Sequence, residues 1–89
     1  MLMLYLQMLD TLEEKVRFEE IYLKYRDAMF RAADGILHND QDAEDAVHNA
    51  FLRIIKKFSR FQNIPAKDLA PQVVVIARNE AISLQRKKK

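Results

Sequence analysis

The sequence predicts an all-α protein, a small bundle of three to four helices in a single domain. Its 89 residues include one glycine and two prolines, too few for the many turns of a β protein. Residues that favour helices, such as Ala, Leu, Glu, Lys and Arg, are abundant. Apolar residues recur at helical spacing along most of the chain. The hydrophobic fraction of 49% is enough for a core and too high for a disordered chain.

A short first helix is predicted from Leu2 to Met8, within the apolar stretch MLMLYLQML. This stretch lacks the basic residues and the cleavage site of a secretory signal, and it is too short to span a membrane. We therefore expect a cytoplasmic protein without a membrane partner.

A long second helix follows DTLEE, where Asp10 or Thr11 is the expected N-cap and Glu13 or Glu14 completes a capping box. The helix should end near LHND, with Gly35 either as an interior glycine or as a C-cap. Its inward side is predicted to consist of eight residues: Val16, Ile21, Tyr22, Tyr25, Met29, Phe30, Ala33 and Leu37.

The third helix begins in NDQDAEDAVHNAFLRIIKKF, with Asn39 or Asp40 as its N-cap. Carboxylates crowd its first turns and lysines its end, and the helix dipole favours both placements. At about 100° per residue, Leu52 points away from the core stripe. It is either an ordinary exposed leucine or the apolar anchor of a partner-binding surface. The core stripe comprises Ala43, Ala46, Val47, Ala50, Phe51, Ile54 and Phe58.

A polar loop, SRFQNIPAK, precedes the last helix, which opens at KDLAPQ with Asp68 as the expected N-cap and Pro71 in the first turn. The run VVVI would pass for a strand in isolation, but the surrounding periodicity favours a helix. Its apolar face is predicted to contain Ala70, Val73, Val74, Ala77, Ala81 and Leu84. A second, mainly polar face contains Gln72, Val75, Asn79, Ser83 and Arg86.

Charge divides the chain into an acidic half and a basic half. Residues 1–45 contain eleven acidic and five basic residues, whereas residues 46–89 contain two acidic and ten basic residues. This division suggests two different partners, one of them a polyanion, or surface charge that happens to segregate. Phe58 and Phe61 lie among the basic residues, a composition typical of sites that stack unpaired nucleotides. Phe58 belongs to the core stripe; for Phe61 both interpretations stay open.

Enzymatic and metal chemistry have little support in the sequence. It contains no cysteine, no nucleophile elbow and no phosphate-binding glycine loop. Glu44 and His48 are four residues apart, but their stretch is helical and lacks the glycine and spacing of a calcium loop. We therefore expect a protein that is not an enzyme and that binds neither a cofactor nor a metal.

Three motifs occur in order between about Phe18 and Lys89: FEEIYLKYRDAMF, DAEDAVHNAFLRI and IARNEAI, with Arg86 beyond the last. In this arrangement the chain resembles region 2 of bacterial RNA polymerase sigma factors, in particular the extracytoplasmic-function class of the sigma-70 family. The resemblance implies one region 2 domain over residues 1–89, with residues 1–9 as an N-terminal helical extension and residues 86–89 as the start of a basic linker. Nothing resembles the domain that reads the −35 element, so we expect a fragment that covers region 2.

The resemblance also assigns roles to the two unexplained faces. The outward face of the third helix would bind the clamp helices of the β′ subunit of the polymerase core, through Asp45, His48, Asn49, Leu52, Arg53 and Ile55. The loop and the last helix would recognise and melt the promoter −10 element on its non-template strand. The residues expected to contact DNA are Lys57, Arg60, Phe61, Asn63, Lys67, Gln72, Val75, Arg78, Asn79, Ser83 and Arg86.

Within that set, Phe61 would line the pocket for an extruded base, and Asn79 would pair with a base edge through its amide. An anti-sigma factor is a further partner that the resemblance implies. The family usually has a glutamine in place of His48, an aromatic residue in place of Gln72 and an aspartate in place of Ser83.

Two other function classes stay open at this stage. One is a helical protein-interaction module that binds a regulator. The other is a duplex DNA binder of helix-turn-helix type, although the loop of about ten residues is long for the tight turn of that motif.

Overall fold

Four α-helices and two short 3₁₀-helices make up the computed structural model, which describes residues 1–88. The α-helices are α1 (Leu2–Gln7), α2 (Leu12–Leu37), α3 (Asp40–Lys56) and α4 (Ala70–Lys87). The 3₁₀-helices, Phe58–Arg60 and Ala66–Asp68, lie between α3 and α4. The predicted all-α bundle is confirmed, and VVVI is helical. Lys89, the last residue of the predicted basic linker, lies outside the described residues.

Helices α2, α3 and α4 pack against one another, and α1 lies across α2 and α3. The main core cluster is centred on aromatic residues, with the rings of Phe18 and Phe51 5.7 Å apart edge to face. At the other end of the bundle, four fully buried alanines (Ala33, Ala43, Ala46 and Ala81) form a second cluster. The fold thus has a bulky aromatic end and an end where small side chains let the helices approach closely.

The inward side of α2 differs from the prediction at two residues. Phe18 is fully buried but was not among the predicted inward residues. Val16, which was among them, is 63% exposed, so that prediction is wrong. The buried face follows Phe18, Ile21, Tyr25 and Met29, and Val16 lies about 200° from Phe18 around the helix.

Capping residues fix where the first two long helices begin and end. Thr11 caps α2: its hydroxyl accepts a hydrogen bond from the Glu14 N–H at 3.1 Å, and the Glu14 carboxylate accepts one from the Thr11 N–H at 3.0 Å. Gly35 is an interior residue of α2, which ends instead at His38 in the left-handed conformation, with φ of 51°. Asn39 caps α3, its side-chain oxygen accepting from the Asp42 N–H at 2.9 Å.

The start of α4 corrects another prediction. Asp68 is not the N-cap; it ends the second 3₁₀-helix, and Leu69 occupies the N-cap without a side-chain hydrogen bond. Leu69 is fully buried, and its carbonyl accepts from the Val73 N–H at 3.0 Å. The buried side chain of Leu69 therefore fixes the position at which α4 begins. None of the helices within residues 1–88 combines the length and the apolar composition that a membrane crossing requires.

Candidate functional site

The residues predicted on the outward face of α3 separate into three environments. Asp45 and Asn49 are exposed. Arg53 is directed toward α4, where its guanidinium pairs with the Glu80 carboxylate, whose side chain is only 12% exposed. His48, Leu52 and Ile55 are partly buried. Only part of this predicted set is therefore presented freely to solvent.

Helix α1 accounts for the environment of His48. The Tyr5 hydroxyl and the His48 Nδ1 share a hydrogen bond of 2.7 Å, and the two rings lie 5.5 Å apart. Tyr5 is 2% exposed and also contacts Phe18, Tyr22 and Phe51, with ring centroids 5.4 to 6.0 Å away. Burial, and to a smaller extent the nearby Tyr22, raises the pKa of Tyr5 to about 12. The sequence pattern contained no signal that this tyrosine joins α1 to α3.

The prediction that Leu52 points away from the core is wrong. Leu52 and Ile55 both pack against the main core cluster, which extends to Tyr5 and Leu9 of the N-terminal segment. A helical wheel describes the periodicity of α3 alone, so it does not show the packing that partly buries Leu52 and Ile55. A substitution at Leu52 therefore changes the packing of the domain as well as its surface.

An open groove of about 510 Å³ lies between the start of α1, the middle of α2 and the N-terminal part of α3, and Asp45 and His48 are in its lining. Its charged lining is mainly acidic, with Asp27, Glu44 and Asp45. Arg26 also lines it, 5.6 Å from the Tyr22 ring centroid and 3.8 Å from the Asp27 carboxylate. Its apolar lining residues include Tyr22, Phe30, Val47 and Phe51. Such a lining suits a basic side chain with an apolar stem, and sequence reasoning missed the groove because three separate helices build it.

The predicted polar face of α4 is confirmed as one exposed surface. Val73, Ala77 and Ala81 are buried on the opposite side of the helix. Val75 is 46% exposed among polar neighbours. The exposed residues of this α4 polar face are Gln72, Val75, Asn79, Ser83 and Arg86, with Arg78 exposed beside them.

The segment between α3 and α4, residues 57–69, presents its basic residues and hides its aromatic ones. Lys57, Arg60, Asn63 and Lys67 are exposed. Phe61 is 7% exposed and belongs to the core cluster. Of the two interpretations left open for Phe61, its burial supports the core residue, and it argues against the base-pocket role that the resemblance implies.

Hydrogen bonds from α2 explain why this segment folds back onto the core. The Arg17 guanidinium donates to the Phe61 carbonyl at 2.8 Å, and the Tyr25 hydroxyl donates to the Ala66 carbonyl. A local 3₁₀ bond joins the Phe61 N–H to the Phe58 carbonyl at 2.9 Å. The segment is thus fixed to α2 at two points. Its exposed basic residues are therefore held in fixed positions.

One residue of the basic tail is engaged within the domain. The Lys88 ammonium lies 2.6 and 2.7 Å from the two carboxylate oxygens of Asp42. Gln85 also donates to the Ile36 carbonyl at 3.4 Å. These contacts tie the end of α4 to the end of α2 and the start of α3, so Lys88 here neutralises a carboxylate of the DAED motif.

A protein-family model described as Sigma-70 region 2 matches residues 21–89. The match includes most of α2, all of α3, the connecting segment and α4, and it begins after α1. No curated protein matches the chain, and no solved structure does either.

Proposed function

The chain belongs to the sigma-70 region 2 family, and from that membership we propose how its two exposed faces divide the work of a promoter-recognition domain. Domains of this family belong to transcription initiation factors that bind the RNA polymerase core and recognise promoters. In this chain, α3 and the acidic groove bind the clamp helices of the β′ subunit. The α4 polar face and the segment 57–69 recognise and melt the −10 element. The motif set supports two finer parts of this proposal, membership of the extracytoplasmic-function class and a single region 2 domain over residues 1–89.

The observation that carries the DNA assignment is the two-sided character of α4. Its buried side consists of Val73, Ala77 and Ala81, so the helix cannot rotate without exposing the core. The residues of the α4 polar face are therefore held in one fixed orientation. The Asn79 amide can form two hydrogen bonds with a base edge, and the exposed Val75 can contact a thymine methyl group.

In this proposal, basic side chains before and after Asn79 in the sequence contact the phosphates. Arg78 and Arg86 lie on α4, and Lys57, Arg60 and Lys67 are exposed on the segment before it. Such contacts position the strand without reading its sequence, and they make affinity dependent on salt. Since Phe61 is buried, we assign it a supporting role: it anchors the backbone that presents Arg60 and Asn63.

Strand opening in this proposal is a shift in a DNA equilibrium, with no covalent step. Extruding a base costs a few kcal/mol of lost stacking and pairing. Contacts made only with the unpaired strand offset that cost, and they favour the open form. An asparagine that bonds the Watson–Crick edge of a flipped base acts at this point, because the complementary base occupies that edge in the duplex.

The polymerase assignment depends on the exposed part of α3 and the groove beside it. Asp45 and Asn49 offer polar contacts, and Glu44, Asp45 and Asp27 give the groove a negative potential. A basic partner surface would be attracted to it. An anti-sigma factor remains a predicted partner.

The test of the DNA assignment compares two amide deletions on the same helix. A single-stranded oligonucleotide is first selected from a random pool for binding to the complex of this chain with core polymerase. The affinity of that complex for the oligonucleotide is then measured by fluorescence anisotropy. Asn79→Ala should weaken binding about 10-fold, since one bidentate base contact contributes about 1–3 kcal/mol. Gln85→Ala, whose amide lies off the α4 polar face, should change it less than about 2-fold.

Equal losses in both variants would contradict the role of Asn79. If the matching duplex bound as tightly as the single strand, the helix-turn-helix alternative would replace this proposal.

A further inference from the structure

Helix α1 carries an exposed apolar surface that the fold does not use. The first nine residues, MLMLYLQML, contain no charged residue, in a chain that is 31% charged. Met3 is 72% exposed, Met8 50% and Leu4 49%. We call these three residues the apolar ridge. Exposed apolar side chains are ordinary when scattered singly, but three within six residues of an uncharged segment point to a contact surface.

The apolar ridge is presented by an anchored helix. Tyr5 and Leu9 are 2% and 7% exposed and belong to the main core cluster. Tyr5 reaches α2 through Phe18 and Tyr22, and it reaches α3 through His48 and Phe51. With these two side chains buried, α1 holds the opposite side of its surface in a fixed direction. Because the backbone of α1 is already fixed, a partner that covers the ridge has only its side chains to order.

The apolar ridge adjoins the face assigned to the polymerase. The hydrogen bond of 2.7 Å between Tyr5 and His48 places α1 directly beside the outward side of α3. At the start of α1, Met1, itself 64% exposed, lines the groove together with Gln41, Glu44 and Asp45. A binding partner that contacts Asp45 and fills the groove therefore lies next to α1.

We propose that the apolar ridge of α1 extends the polymerase-binding surface, so that the contact with the RNA polymerase core is formed by α1 and α3 together. This inference rests on the proposed function of α3. The partner surface that this inference requires has an apolar area beside basic groups. Its apolar area would cover Met3, Leu4 and Met8, and its basic groups would lie at the acidic groove. Methionine suits such a contact because its flexible, polarizable side chain adapts to the partner.

Other occupants of the apolar ridge fit less well. A membrane surface attracts amphipathic helices whose polar side is basic, whereas α1 has no basic residue and Asp10, Glu13 and Glu14 follow it. A second copy of the chain could cover the ridge through apolar contact alone. That occupant is an outcome of the test below.

The test is a titration of the labelled whole chain with RNA polymerase core. In the ridge variant Met3→Ser and Leu4→Ser are combined. The matched control combines Val16→Ser and Leu23→Ser, two apolar side chains of α2 that are 63% and 56% exposed. The ridge variant should bind core about 10-fold more weakly, and the control should change binding less than about 2-fold. Circular dichroism and the urea unfolding midpoint of each variant establish that the fold is retained.

A third variant, Asp45→Lys, separates failure of this inference from failure of the proposed function. If Asp45→Lys weakens binding while the ridge variant binds like the parent, α3 contacts the core and α1 does not. If the parent itself does not bind core, the proposed function fails, and this inference fails with it. Tighter binding by the ridge variant would show that α1 masks the interface and would overturn the inference. So would sedimentation showing a dimer that the ridge substitutions convert to a monomer.

Discussion

Replacing Tyr5 by alanine should remove the attachment of α1 to the bundle and lower the stability of the whole domain. Tyr5 is 2% exposed, and four aromatic or imidazole rings lie within 6.0 Å of its ring centroid. Truncating a buried aromatic side chain to alanine costs about 3–5 kcal/mol. At roughly 0.05–0.15 kcal/mol per residue, a domain of this size has about 4–13 kcal/mol in total. The loss is thus roughly a quarter or more of the stability.

Tyr5→Phe divides that loss into its two parts. Phenylalanine keeps the ring contacts and removes the hydroxyl that is bonded to His48 at 2.7 Å. Since His48 is only partly buried, water can replace the lost partner, and the cost should be near the lower end of about 0.5–1.5 kcal/mol. The ring, rather than the hydroxyl, is expected to supply most of the attachment.

The ionisation of Tyr5 gives this attachment a pH dependence. Burial raises the pKa of Tyr5 from 10.0 to about 12, so between those values the unfolded chain releases a proton that the folded chain retains. The contribution to stability is complete below pH 10 and is lost as the pH rises toward 12. The slope is at most about 1.4 kcal/mol per pH unit. Tyr5→Phe should lack this component.

Urea unfolding followed by far-UV circular dichroism measures all three effects. The matched control is Leu23→Ala, which truncates an exposed leucine of α2 (56%) and should change stability less than about 0.5 kcal/mol. A Tyr5→Ala midpoint equal to that of the control would refute the reasoning, because α1 would then contribute nothing to the core.

Three further predictions concern single sites. Phe61→Ala should lower stability by about 3–5 kcal/mol because Phe61 is 7% exposed, whereas truncating the neighbouring exposed Gln62 should have little effect; equal urea midpoints would place Phe61 outside the core. His38→Gly should raise the thermal midpoint, with a gain of about 1 kcal/mol, since His38 has φ of 51°; a lower midpoint would contradict the argument from backbone strain. A double-mutant cycle on Arg53 and Glu80 should give a coupling below about 1 kcal/mol, because the arginine side chain is 60% exposed, and a coupling of several kcal/mol would show a desolvated pair.

Local signals predicted the helices well. The capping box at Thr11 and Glu14 lies within four residues, and the Asn39 cap within three, so sequence spacing alone suffices to find them. The two sides of α4 follow from helical periodicity in the same way. In each case the interactions that decide the structure lie within one helix.

Features that depend on distant contacts were beyond the reach of the pattern. The polar neighbours of Phe61 left its role open between a core residue and a stacking site. Arg17, 44 residues earlier, donates to its carbonyl and fixes the segment onto the core. Leu52 was expected to point away from the core because a helical wheel describes α3 alone, without the elements that pack against it. Tyr5 contacts His48 across 43 residues, and no periodicity within either helix contains that information.

The most direct test of the central claim is the binding of this domain to a purified fragment of the β′ clamp helices. The domain is compared with Asp45→Lys, on the exposed side of α3, and with Glu19→Lys, the same charge reversal on an exposed acidic residue of α2. Specific binding by the parent, weakened about 10-fold or more by Asp45→Lys and retained by Glu19→Lys, is the predicted result. Absence of binding by the parent, or equal weakening by the two reversals, would contradict the claim that α3 holds the polymerase.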